Sequence, residues 1–133
     1  MTVEKAKWPD YRDVLLPIIQ ETQTRNQHAF AKEIDEALTD GSAFLFVGAD
    51  GFFVLRPFER NNGTLWVTVM FAFNWAGNAI ERYQATVEKL SRQIGARGLD
   101  LYTKVAGLSL LFERQGFQQI SVRDGVQHWE KRL

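Results

Sequence analysis

Residues 64–73 read TLWVTVMFAF, residues 74–79 read NWAGNA, and a helical run follows as far as Ile94. In the first segment Leu65, Val67, Val69, Phe71 and Phe73 alternate with Trp66, Thr68, Met70 and Ala72. Both faces are largely apolar, which predicts a strand in the middle of a sheet with helices packed on either side. Asn74 to Gly77 makes a short connection. Beyond it Ile80, Tyr83, Val87, Leu90 and Ile94 recur at helical spacing, with Glu81, Arg82, Glu88, Lys89 and Arg92 on the wet face. Gly95 and Gly98 end this helix, and Leu99–Val105 reads as a further strand. Strand, helix and strand in that order predict a right-handed parallel crossover.

Working outward, Ala43–Gly48 and Phe52–Pro57 alternate at period two around Ala49-Asp50-Gly51, a hairpin. Asn61-Asn62-Gly63 is a second turn into the central strand. Upstream, Asp10–Arg25 is helical, but Pro17 predicts a kink or two short helices. Gln27–Thr39 is the next helix, stopped by Asp40-Gly41. Downstream, Gly107–Gln115 is a short helix closed by Gly116, and Phe117–Arg123 with Val126–Leu133 makes a last hairpin about Asp124-Gly125. The order is α-α-β-β-β-α-β-α-β-β. The fold class is α/β (α+β), a mixed, mostly antiparallel sheet flanked by helices, in a single domain over residues 1–133.

Composition removes several function classes. The 133 residues are 45% hydrophobic and 13% aromatic, enough to bury a core. Sixteen cationic and sixteen acidic residues cancel, so the footprint of a nucleic-acid binder is missing. Without cysteine there is no disulfide, thiolate metal site or cysteine nucleophile. His28 and His128 have no ligand partner at metal spacing, so no metal site is expected. Met1–Lys7 lacks the apolar stretch of a signal peptide, and no apolar run is long enough to span a bilayer. A soluble, cytoplasmic protein with no membrane partner is expected.

Two stretches carry a resemblance. Residues 110–117, LLFERQGF, resemble the short helix ending in "YEKLGF" of the GCN5-related N-acetyltransferases (GNAT), and Asn74–Ala79 resembles their acyl-CoA loop, Q/R-x-x-G-x-G/A. The element order matches from the paired N-terminal helices to the last hairpin. The resemblance implies a GNAT-like acyl-CoA N-acyltransferase fold. It further implies acetyl-CoA as donor and a small-molecule or protein amine as acceptor. The pantetheine arm would pair along the strand edge at Met70–Phe73, including Phe71 and Phe73. The pyrophosphate would sit at Asn74 and on the backbone N–H groups of Trp75, Ala76, Gly77, Asn78 and Ala79, where a helix start presents unpaired donors. A backbone N–H near Phe71–Phe73 would hold the oxyanion. A homodimer through the final hairpin is implied by resemblance as well.

The departures from that pattern are chemical. Asn74 replaces the usual Gln or Arg, and no Arg or Lys lies between Arg60 and Arg82. The tyrosine that often serves as general acid falls on Phe112, and the polar residue seven positions earlier is Val105. The remaining candidates for acid–base work are Glu21, Glu59, Asp100 and Tyr102. Weak or lost catalysis follows. The stripped chemistry, short chain and many aromatics also resemble degenerate bacteriophage members, which would act with virion proteins in the virion or host cytoplasm. A plainer reading makes Asn74–Ala79 a tight connection, Phe112 core, and Arg56, Arg60, Arg82 and Arg92 solvated; the sharper alternative gives Arg82 to an anion site one turn into the helix. Trp66 reads as an inner-face or interface residue and Trp75, in a loop, as the better functional candidate of the two.

Overall fold

In the computed structural model, residues 3–133 are described; Met1 and Thr2, part of the segment read as no signal peptide, lie outside them. The elements are β1 (Val3–Ala6), α1 (Trp8–Asn26), α2 (Ala31–Asp40), β2 (Phe44–Gly48), β3 (Gly51–Glu59), β4 (Leu65–Asn74), α3 (Ala79–Gln93), β5 (Gly98–Thr103), α4 (Ser109–Arg114), β6 (Gln118–Arg123) and β7 (Val126–Arg132). A short 3-10 turn, Ala106–Leu108, leads into α4. Among the described residues the strands form one sheet in the order β1-β2-β3-β4-β5-β7-β6. Only β4 and β5 run parallel; the other neighbours are antiparallel. The mixed, mostly antiparallel α/β class read from the sequence is the observed one.

Three local expectations are corrected. Residues 3–6 form a strand that pairs with β2 and covers its edge, although two charges in four residues leave no hydrophobic period to read. Pro17 does not split α1, which runs unbroken for 19 residues. Leu15 and Ile19 on either side of the exposed proline are fully buried, and that anchoring outweighs the lost backbone hydrogen bond. Residues 27–30 are not helical. Gln23 Oε1 reaches from α1 to accept the N–H groups of Phe30 and Ala31, so α2 begins at Ala31.

The two helical layers bury separate cores. α1 and α2 cover Leu45, Phe52, Val54 and Phe71, whereas α3 and α4 cover Phe53, Leu55, Val67, Leu99 and Trp129. β4 serves both layers through a bulge. Val54 pairs with Phe71 and Leu55 with Val69, leaving Met70 without a partner on β3. Strict alternation from Leu65 to Phe73, as the sequence suggested, therefore fails at Met70. Val67, Val69 and Ala72 face the α3 layer, while Met70, Phe71 and Phe73 face α1 and α2. Among the described residues no helix is long and apolar enough to cross a membrane.

Asp35 ties the two N-terminal helices together. It accepts the Trp8 indole N–H at 2.9 Å and two Arg12 guanidinium N–H groups at 2.9 and 2.8 Å. Arg12, with Trp8 adding to it, draws the Asp35 carboxyl down from its usual 3.8 to about 2. A depressed carboxylate stabilises the fold above its unfolded value and loses that contribution as pH falls through its folded value. Arg12 is half exposed, so solvent screening holds the gain to about 1 kcal/mol. Asp35→Asn is expected to melt below the parent at pH 7, and thermal melts across pH should show the gap closing between about pH 4 and pH 2.

Candidate functional site

β4 and β5 pair over three residues only: Trp66 with Gly98, Val67 with Leu99, and Thr68 with Asp100. Beyond that point the strands part. β4 continues to Asn74 and β5 to Thr103 with no ladder between them. The closed end is fixed by contact. A Cβ on Gly98 would stand 2.3 Å from the Trp66 ring, so glycine alone lets the indole lie across β5. Arg60 covers the Trp66 ring at 3.4 Å and pairs with Glu130 of β7. Trp66 is thus an inner-face residue, as expected.

The open part is a cavity of about 490 Å³ that passes through the sheet. Thr68, Phe71 and Ala72 line it from β4 and Leu101, Tyr102 and Thr103 from β5. His28, Phe30 and Glu33 close it on the α1–α2 side; Ile80, Leu108 and Phe112 close it on the other. Two contacts hold the α1–α2 connection over it: Lys104 Nζ donates to the Gln27 carbonyl at 3.0 Å, and Arg56 pairs with Glu33 at 3.1 Å. Burial, with Lys104 nearby, pushes the His28 pKa down.

At the outer end of β4 the chain enters α3 through Asn74–Asn78. Of the five amides expected to meet a pyrophosphate, three are already engaged. Trp75 N–H donates to the Asp50 carbonyl at 2.8 Å, Ala76 N–H to Asn74 Oδ1 at 2.8 Å, and Gly77 N–H to the Asn74 carbonyl at 2.9 Å. A tight turn closed by the buried Asn74 uses them up. This corrects their expected role as donors to a ligand. Among the described residues the N–H groups of Asn78 and Ala79 have no partner, and α3 has no side-chain cap, so Ile80 and Glu81 at its first turn present unpaired donors too. Asn78 is left-handed at φ 62°, which turns the chain into the helix.

A carboxylate stands behind this turn. Asp50 pairs with Arg82 and accepts the Tyr83 hydroxyl, both at 3.1 Å. The Asn74 carboxamide, with Tyr83 and Arg82 adding to it, holds Asp50 below the usual carboxylate range, though Asn74 Nδ2 makes no well-formed hydrogen bond. Gly51 permits this convergence, since a Cβ there would meet the Phe73 carbonyl at 2.0 Å and the Tyr83 hydroxyl at 2.5 Å. Arg82 is therefore neutralised by the protein itself.

The other expected site residues divide. Tyr102 lines the cavity, and burial with Asp100 and Glu130 nearby pushes its phenol pKa up. Glu21 and Glu59 are exposed and line no part of the cavity. Phe73 packs into the α1–α2 core and meets Trp75 edge-on, with ring centroids 5.3 Å apart. Trp75 is 58% exposed, Ala76 and Gly77 are exposed, and Ala79 packs against the α3 core. Phe112, 2% exposed, packs on Phe117 and Trp129, which makes it core as well as cavity wall.

One cluster was half visible in the sequence, which offered Asp100 and Tyr102 as acid–base candidates but neither Thr68 nor His128 beside them. Thr68 Oγ1 donates to Asp100 Oδ1 at 2.6 Å, and His128 Nε2 meets Asp100 Oδ2 at 3.0 Å. The His128 ring stacks on Tyr102 with centroids 4.3 Å apart and 6° between planes. His128 reaches Asp100 because β7 lies between β5 and β6, an insertion no local pattern announces.

Neither a protein-family model nor a curated protein sequence matches this chain. Solved structures do. A GNAT-family acetyltransferase from Listeria monocytogenes superposes with TM-score 0.70 at 14% identity, covering 99% of this chain and 94% of that one. Aminoglycoside 6′-acetyltransferase type Ii gives 0.70 at 14%, covering 99% and 97%. The PaiA N-acetyltransferase from Thermoplasma acidophilum, solved with coenzyme A, gives 0.58 at 14%, covering both chains fully.

Gly98→Ala is expected to force the Trp66 ring off β5, costing about 1–3 kcal/mol. Urea unfolding followed by tryptophan fluorescence measures both the loss and the displaced indole. The divided β4–β5 pair and the neighbours agree on the architecture: this chain has the fold of the GCN5-related N-acetyltransferases.

Proposed function

We propose that the protein is an N-acyltransferase that takes an acetyl group from acetyl-CoA to an amine. One observation carries this reading: the gap beyond Thr68 and Asp100 runs through the sheet, and its lining includes Ile80, in the first turn of α3, whose leading amides are unpaired among the described residues. Those donors and the helix dipole suit a diphosphate. The unladdered edge of β4 offers backbone groups to an extended amide-bearing arm, and the α1–α2 side of the cavity admits the acceptor. That PaiA was solved with coenzyme A supports the choice of donor.

The same residues set a modest activity. Arg82 is held by Asp50, so among the described residues no free cation stands at the anion site, and neutral hydrogen bonds are roughly half as strong as charged ones. Phe112 stands at the inner wall with no proton for a leaving thiolate. Chemistry here rests on positioning, which alone lowers barriers substantially. No observation favours a bacteriophage origin or a virion role.

Acetyl-CoA at a hundredfold excess over its Kd is expected to stabilise the fold by about 2.7 kcal/mol, a melting shift of several degrees. Gly77→Asp, which adds a carboxylate beside the free amides, is expected to remove most of that shift. An unshifted parent at millimolar acetyl-CoA would refute the reading; an undiminished shift in the variant would move the phosphate site elsewhere.

A further inference from the structure

The wedge ends at a hydrogen-bonded array that the reading above does not use. Thr68 lines the cavity and is 7% exposed; Asp100 behind it is 3% exposed. Thr68 gives its only hydroxyl proton to Asp100, which leaves its oxygen lone pairs as acceptors at the apex. The other Asp100 oxygen faces His128 Nε2, and the His128 side chain is 18% exposed at the surface. A carboxylate at Nε2 favours the tautomer with its proton there, leaving Nδ1 as the acceptor. The array thus runs from the dry apex to solvent. The charges around it are neutralised in pairs: Glu130 by Arg60 and Glu33 by Arg56. Asp100 has no cationic side chain of its own among the described residues unless His128 is protonated.

We infer that Thr68, Asp100 and His128 form a relay that takes the proton from the attacking amine at the closed end of the β4–β5 gap. This rests on the acyltransferase reading. From Asn74 to Thr68 is about 20 Å of strand, so an arm entering at the free amides and following β4 inward brings its thioester toward the apex. The acceptor arrives there as an ammonium; its extra proton passes to Thr68 Oγ1 as the threonine's own proton passes to Asp100, which frees the nitrogen lone pair. The amine then attacks the carbonyl carbon; the C–N bond forms, the C–S bond breaks with its electron pair leaving on sulfur, and the proton shed by the acylated nitrogen goes to the departing thiolate. Asp100 later returns its own proton to water. Thr68 makes the contact, Asp100 accepts the proton through it, and His128 positions Asp100.

The test uses two small acceptors with the full chain and acetyl-CoA at pH 7: n-butylamine, which arrives protonated, and hydroxylamine, which arrives neutral. Asp100→Asn and Thr68→Val are expected to lower transfer to n-butylamine by about 10²-fold, in the range of general base catalysis, and transfer to hydroxylamine far less. Thr68→Ser, which keeps the hydroxyl, and His128→Gln, whose amide reaches where Nε2 stands, are expected to retain most activity; His128→Leu is not. The melting shift with acetyl-CoA, measured on every variant, separates the two readings. Equal losses with both amines, or no rescue by Thr68→Ser, would overturn the relay, as would acetyl-CoA binding by the parent without transfer to either amine. No binding by the parent would remove the acyltransferase reading and the relay with it.

Discussion

Three residue pairs carry the architecture. Trp66–Thr68 against Gly98–Asp100 is the whole parallel contact of the sheet, and the cavity exists because pairing stops there. A parallel pair is slightly weaker per residue than an antiparallel one, so so short a ladder needs reinforcement. The Trp66 ring laid on Gly98, Arg60 laid on Trp66, and Thr68 bonded to Asp100 supply it. Long antiparallel partners on the outer sides, β3 for β4 and β7 for β5, let the two strands diverge without fraying.

Much of this was legible in residue order. The apolar two-faced strand, the amphipathic run after it and the strand at Leu99 identify the parallel pair, because a right-handed crossover leaves little choice. Where the sequence misled, a tertiary effect overrode a local one. Pro17 sits in an intact helix because Leu15 and Ile19 are pinned in the core. Residues 27–30 lost their helix to Gln23, whose side chain reaches forward from the preceding helix.

The site was less legible than the fold. Residues 74–79 were recognisable as a loop, but nothing local says which amides the loop consumes; Asn74 and the Asp50 carbonyl decide that, and Asp50 comes from another hairpin. Tyr102 was found by its place on the strand. Thr68 looked like one polar residue in an apolar run, and His128 like an isolated histidine. Their meaning appears only when β5 is flanked by β4 on one side and β7 on the other.

The unpaired Met70 gives β4 one residue more than β3 over the same distance. That surplus acts as a phase shifter: the strand begins with one parity toward α3 and finishes with the other. Length rather than identity holds the information at this position. Replacing the methionine by another apolar residue leaves Phe71 and Phe73 on their present side. Deleting it would run the Val54–Phe71 and Leu55–Val69 pairs into one regular ladder with both rings still on their present side, so what the extra residue supplies is the local bend and added twist of β4 beside the gap.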